Sequence, residues 1–441
     1  MEKFLLKNCD IADFNTLSCN RNDIYIENGF IKKIAPSILS SDLDVTVIDV
    51  NGKMVMPSFV DCHSHLLQTF LKGYLDDYPI TDWLVRMFYA ESLFTEEDCY
   101  YSVLAGSLSA LRFGTTTIND MAMNTYFDAG MQALKDSGIR AVVGMGLTDI
   151  SESINTPVHS TDENLTLAKK VYDTYHNFAP DKITTCVAPL GLPSCSDELM
   201  QRLKTFANER GLIFHTHLAE GKKETHGIKK RTGYMEAEAL YHLGILDEHT
   251  LLAHSIWLED YELDFIKQTN ATPVHCPSTN MKISDGIPKI QQMLDRGINV
   301  CMGCDGEASS SNRDLVREAR AGAYLQKGHT LNPKAMDLKT TYCMMTENGA
   351  KALGFKNLGR LKVGYLADLI VVDMGNDISL INRQTRISNF LYAASGQAID
   401  TVFVNGSLVI KDKKNVLINE QELLEKCEEL LYKYDKKIKK S

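Results

Sequence analysis

Eight apolar runs, each about the length of one strand, alternate with amphipathic stretches through the middle of this chain. They are "KMVMPSFVDCHSH", "GTTTIND", "RAVVGMGLTD", "KITTCVAPLG", "GLIFHTHLAE", "TLLAHS", "TPVHCP" and "INVCMGCDG". Runs that are apolar on both faces suit strands covered on both sides, as in a parallel sheet wrapped by helices. The separators carry helix signals. "SDELMQRLKTFANERG" has apolar residues at helical spacing, and "GIPKIQQMLDRG" opens with Pro288 and closes on Gly297. Strand–helix units in this number predict an α/β fold, a (β/α)8 TIM-like barrel over residues 58–357. The active site of such a barrel is built at the C-terminal ends of its strands.

Residues 1–57 and 358–441 read differently, as short strands and turns. "DIYIENGFIKKIAP" alternates around Asn28–Gly29, and "AIDTVFVNGSLVIKD" does so around Asn405–Gly406. Asn-Gly supplies the two positive φ angles that a two-residue hairpin needs. Both ends are therefore expected to combine into one small β-sandwich domain. The chain closes in a helix, in which Leu423, Leu424, Cys427, Leu430, Leu431 and Tyr434 form one apolar stripe. A length of 441 residues exceeds one simple core and agrees with two domains.

The formal net charge of -10 argues against a nucleic-acid surface. No run of about 18 apolar residues exists, so no membrane span is expected. The charges in "MEKFLLKNCDIADF" come too early for a signal peptide. The 11 cysteines are odd in number and follow no framework, which fits free thiols in a reducing cytoplasm. The one CXXC, Cys301 to Cys304, falls in a strand where i and i+3 face opposite sides, so a structural role is expected.

The chemistry concentrates at the ends of the runs. His63 and His65 close the first, and residues i and i+2 of a strand point the same way, so both can bite one ion. His217 ends the fifth run, His254 the sixth and Asp305 the eighth. Imidazoles and a carboxylate converging from separate strand ends describe a catalytic metal site. A lone strand-end histidine is more often a satisfied polar residue, but that reading does not account for an ordered set. From spacing alone His215 rivals His217, since it points to the same side two residues deeper, and His275 is similarly ambiguous.

In order and spacing, "PSFVDCHSH", "HTHLAE", "LLAHS", "VHCPSTNMK", "CDG" and "GRLKVGYLADLIVVD" resemble the amidohydrolase superfamily. The nearest branch is the deaminase and chlorohydrolase group, with its methylthioadenosine/S-adenosylhomocysteine deaminases, guanine and 8-oxoguanine deaminases and triazine hydrolases. The resemblance implies a metal-bearing barrel beside a β-sandwich built from both termini. It implies His63, His65, His217 and Asp305 as metal ligands, and Glu220, His254 and Asp305 as the catalytic, proton-handling residues. The family ligand stands three residues before the Glu, which selects His217 and leaves His215 to the core. The same pattern marks the neighbourhood of His275 as pocket wall. Many binuclear relatives carry a carboxylated lysine on strand four, where this chain has only Lys182, at the very start. One divalent ion is therefore expected, Zn2+ foremost, with Fe2+ and Mn2+ also suited to the donor set. Such an ion lowers the pKa of bound water toward ~7. Glu220 would protonate a ring nitrogen and serve the departure of ammonia. The implied enzyme is a cytoplasmic homodimer or larger homo-oligomer acting on a small heterocycle. Hydrolytic deamination stands ahead of chlorohydrolase or cyclic-amide chemistry at the same site.

After the first strand, "LKGYLDDYPITDWL" is the counterpart of the stretch that shapes the substrate pocket in the resembling deaminases, and it offers Trp83 as a stacking wall. Adenosine-type members carry Glu two residues before that Trp, where this chain has Thr81. They carry His after strand four, where it has Leu190. Both changes remove polar contacts suited to a nucleoside sugar, each worth ~1–3 kcal/mol when buried. A free amino-heterocycle (purine, pterin, pyrimidine, triazine or creatinine-like) is thus expected ahead of an adenosine-type nucleoside. Glu307, Ser309 and Ser310 follow the metal aspartate and are candidate partners for the ring's amino or amide edge. Arg140 opens strand three, at the wrong end for chemistry, and is expected to be structural.

Overall fold

The computed structural model describes residues 3–439 apart from 41–43, 123–125, 152–157, 181, 376 and 381. The chain begins with β1 (Lys3–Asp13), β2 (Ser18–Glu27), β3 (Phe30–Ala35), β4 (Thr46–Asp49) and β5 (Met54–Pro57). The central strands are β6 (Phe59–His65), β7 (Thr115–Ala122), β8 (Arg140–Leu147), β9 (Ile183–Thr185) and β10 (Ala188–Pro189). They continue as β11 (Phe214–Leu218), β12 (Thr250–His254), β13 (Thr272–His275), β14 (Cys301–Met302) and β15 (Asp305–Gly306). The last are β16 (Leu369–Val372), β17 (Ile399–Val404), β18 (Ser407–Lys411) and β19 (Lys414–Asn415).

All eight apolar runs contain strand, but the first is divided between two sheets. β5 pairs with β1 and β16, whereas β6 pairs with β7 and β15. Ser58 is the joint, and its hydroxyl lies 2.6 Å from that of Thr116 on β7. The central strands form two parallel sheets. One runs β10-β8-β7-β6-β15 with β9 also on β8, and the other runs β11-β12-β13-β14. A parallel bridge between Val187 and Phe214 links them on one side. On the other, the Cys304 amide donates to Asp61 Oδ1 at 3.0 Å and the Gly303 amide to the His275 carbonyl at 3.0 Å.

The remaining strands form a nine-stranded sheet, β19-β18-β17-β16-β5-β1-β2-β3 with β4 on β1, which draws strands from both the N-terminal and the C-terminal region. Both Asn-Gly turns hold positive φ, 53° and 82° at Asn28 and Gly29, and 50° and 72° at Asn405 and Gly406. Arg140 joins the two regions. Its Nη2 donates to Asp368 Oδ2 at 3.0 Å, and the same oxygen accepts from the Asn405 amide at 2.9 Å. Both partners of that ion pair are buried.

Two helices follow β6, α1 (Ile80–Ser92) and α2 (Glu96–Arg112). The C-terminal helix Glu420–Ile438 lies against them rather than against the terminal sheet alone. Its Tyr434 hydroxyl donates to the Ala90 carbonyl at 3.0 Å, and Lys426 pairs with Glu97 at 2.8 Å. Cys427, Leu430 and Tyr434 are buried, while Leu424, from the same stripe, is exposed. All the cysteines are free, and Cys301 and Cys304 are both buried.

Candidate metal centre and cavity

The strand ends bring the expected side chains together. The ligand atoms of His63, His65 and Asp305 lie within 4.8 Å of one another, and so do those of His63, His217 and His254. The His63 ring stands edge-on to those of His65, His217 and His254, at centroid distances of 4.8, 4.9 and 5.2 Å. His63 Nε2 is 3.3 Å and His65 Nε2 3.5 Å from Asp305 Oδ1.

Each imidazole is held from behind through Nδ1. His65 Nδ1 meets the Met121 carbonyl at 2.8 Å, and His217 Nδ1 the Leu190 carbonyl at 2.6 Å. His254 Nδ1 meets Asn280 Oδ1 at 2.9 Å. A carbonyl only accepts, so His65 and His217 carry their proton on Nδ1 and turn the Nε2 lone pair inward. His63 Nδ1 faces His215 Nε2 at 2.8 Å, which gives His215 its place: it supports a ligand candidate from one layer deeper. His63 Nε2 is buried and, among the described residues, has no hydrogen-bond partner. An orphaned lone pair among other inward lone pairs and one carboxylate is the arrangement a cation satisfies. Burial also pushes the His63 and His217 rings well below their ordinary pKa, which favours the neutral, metal-binding form.

Backbone strain marks the same positions. His254 and Asp305 have φ of 69° and 62°, left-handed values that cost a non-glycine residue ~1–3 kcal/mol. They persist only where the surroundings over-determine them.

A cavity of about 360 Å³ opens over this cluster, lined by His65, His217, His254 and Asp305 at its base and by Glu220 beside them. Glu220 Oε1 lies 3.4 Å from His254 Nε2. Burial, helped by Asp305, Glu224 and Glu236, pushes the Glu220 carboxyl well above the usual carboxylate range. A carboxyl whose protonated form is favoured next to a metal-type site is equipped to give a proton.

The substrate-side expectations divide. Trp83 and Thr81 on α1, Leu190 and Ser309 all line the cavity. The Trp83 Nε1 is buried and, among the described residues, unpartnered. The Ser309 hydroxyl reaches Asp305 Oδ2 at 3.2 Å. Glu307 and Ser310 are corrections: neither is among the cavity-lining residues. Glu307 is fully buried between Lys72 Nζ at 2.5 Å and Arg313 Nε at 3.6 Å, and the Ser310 hydroxyl donates to the Gly306 carbonyl at 2.9 Å. Their position after Asp305 made them candidates, but the turn there aims them away. His275, left ambiguous by spacing, is buried in the core against Gly322, while Thr279 from its neighbourhood lines the cavity. Two residues that sequence reasoning missed are Gln68 and Asn280. Gln68 lines the cavity so tightly against Gly306 that a Cβ there would sit 1.8 Å from its Oε1. Asn280 orients His254 from the helix Pro277–Lys282, a long-range contact that leaves no local signal in the sequence.

The amidohydrolase family model matches residues 54–409. A 5-methylthioadenosine/S-adenosylhomocysteine deaminase of Halothermothrix orenii is 35% identical over 438 residues, covering 97% of this chain and 99% of that protein. The chain belongs to the amidohydrolase family. A 5'-deoxyadenosine deaminase of Methanosphaera stadtmanae is also 35% identical, over 88% of this chain and 90% of that one. Among solved structures, an adenosine deaminase from Xanthomonas campestris with bound zinc superposes with a TM-score of 0.90 at 23% identity, over 99% of each chain. At that identity the likeness speaks for the fold.

Proposed function

We propose that this chain is a metal-dependent hydrolase that releases ammonia from an amino-substituted N-heterocycle. The observation that supports the reading is the clustering of His63 with His65 and Asp305, and of His63 with His217 and His254, at a cavity whose wall holds the half-buried carboxyl of Glu220. These four residues would hold one divalent ion, zinc foremost. The fourth run, "KITTCVAPLG", offers only Lys182, at its very start, which supports a single ion. When bound, the ion supplies a Lewis acid that makes water acidic enough to act as a nucleophile near neutral pH.

The chain's own residues do the rest. Asp305 would take the proton of that water. Glu220 donates its proton to a ring nitrogen, which makes the adjacent carbon electrophilic. Its carboxylate would then take the proton held by Asp305 and pass it to the amino nitrogen as the C–N bond breaks and ammonia leaves, and the proton of the added hydroxyl would return to Glu220 as the carbonyl forms. His254, fixed by Asn280, orients the nucleophile. Trp83 offers the ring a flat face, with Leu190 and Ser309 alongside.

The two parallel sheets read as one (β/α)8 barrel over residues 58–357, and residues 1–57 with 358–441 as one β-sandwich domain. The Val187–Phe214 bridge and the Asp61–Cys304 contact support closure. The free thiols support a reducing, cytoplasmic setting, and the family resemblance a homo-oligomer.

Two substrate classes fit. Full-length relatives named as adenosine-type deaminases favour a nucleoside. Thr81 and Leu190, both on the cavity wall, favour a free base. An ammonia-release screen pairing each free base with its nucleoside tests the reading. Turnover of a nucleoside alone removes the free-base reading, and silence across the whole panel with zinc present removes deamination.

A further inference from the structure

We propose that Arg313 is the positioning residue of the metal centre: it clamps the two strand ends that carry His65 and Asp305, and Glu307 with Lys72 holds it in place. The proposal rests on the metal-site reading above. Arg313 is 1% exposed, a depth at which an arginine is found only when it is paired. Its Nη1 donates to the Ser64 hydroxyl at 2.7 Å and also to the Asp305 carbonyl, and its Nη2 donates to the His65 carbonyl at 3.1 Å. Ser64 and His65 end β6, and Asp305 begins β15, its pairing partner. One planar group thus holds three acceptors on two strands.

The need for such a clamp is visible locally. At the last residues of a parallel pair the ladder runs out, and carbonyls that would bond the next rung are left over. Asp305 also keeps a left-handed backbone at φ 62°, which must be paid for by fixed contacts on both sides. A guanidinium suits this position because its fork is rigid, whereas an ammonium reaches the same acceptors only by bending toward them one at a time.

Charge explains the rest of the chain of contacts. A buried cation needs an anion, and Glu307 Oε2 lies 3.6 Å from Arg313 Nε. Its other oxygen lies 2.5 Å from Lys72 Nζ, on the residue that follows the turn Leu66–Leu71. From Lys72 the chain runs on to α1, the cavity wall that carries Trp83. The network therefore ties the ligand strands to the substrate wall, and Glu307 serves the metal centre through Arg313 rather than by touching substrate.

The test is Zn2+ affinity, read by competition with a chromophoric chelator, together with the visible spectrum of the Co2+-loaded protein. Arg313→Lys should weaken Zn2+ binding about 10–100-fold and alter the Co2+ spectrum, as loss of outer partners of metal ligands does. Glu307→Gln should weaken binding in the same direction by a smaller factor. The double variant should lose less than the product of the two, because both act through one clamp. Zn2+ affinity and Co2+ spectrum unchanged in Arg313→Lys overturns the proposal. Should that variant fail to fold, unchanged Zn2+ affinity in a folded Glu307→Gln overturns it instead. A wild-type protein that binds neither metal would sink the metal-site reading itself, a result distinct from variants that bind as well as wild type.

Discussion

Glu91 offers a prediction whose size follows from the structure. It sits on the buried side of α1 at 5% exposure, beside Gln68, and neither carboxyl oxygen has a hydrogen-bond partner among the described residues. Burial pushes its pKa from 4.5 up to about 8. The folded protein therefore binds more protons than the unfolded chain between those two values. Stability contributed by the neutral carboxyl is intact below pH ~4.5 and is lost as pH rises toward ~8. With 1.36 kcal/mol per pKa unit, the loss approaches a ceiling of about 5 kcal/mol at pH 8, and local relaxation brings it nearer ~2–4. Glu91→Gln keeps the shape and removes the ionisation. Urea unfolding of parent and variant, from pH 4.5 to 8.5, should show the variant more stable at pH 8 by about 2–4 kcal/mol. The gap should close toward pH 4.5. A gap that stays constant with pH, or a variant weaker at pH 8, would refute the assignment of a buried, neutral carboxyl.

Three further outcomes are expected. Glu220→Gln should lower kcat by ~10²-fold or more with bound metal unchanged by elemental analysis, and near-normal turnover would reject its proton role. Asp368→Asn removes the charge of a buried acceptor shared by Arg140 and the Asn405 amide and should cost about 1–3 kcal/mol in urea unfolding, whereas no measurable loss would mean that the pair contributes nothing to stability. Chelation should abolish ammonia release and added Zn2+ should restore it. Indifference to chelators would remove the metal from the mechanism.

Much of this site was legible because strand ends carry their chemistry in plain spacing. His63 and His65 announce a shared side by alternation, and His217, His254 and Asp305 each close an apolar run. What stayed hidden depends on contacts between distant segments. Spacing could not separate His215 from His217. The structure does, by setting His215 Nε2 behind His63 while the His217 ring opens to the cavity. Glu307 and Ser310 looked like pocket residues because they follow Asp305 closely, yet the turn there rotates each to a different neighbour. Arg313 gave no signal at all, since nothing in "SSSNRDL" says that its guanidinium reaches back to the end of β6. The split of the first run at Pro57 was equally silent, because an apolar strand of the terminal sheet and one of the parallel sheet look alike in sequence.

Anomalous diffraction at the zinc absorption edge, on crystals of the Zn2+-loaded protein, addresses the central claim most directly. The account predicts one strong peak about 2.0–2.2 Å from His63 Nε2, His65 Nε2, His217 Nε2 and an Asp305 oxygen. A peak elsewhere, or none between these four side chains, would contradict it.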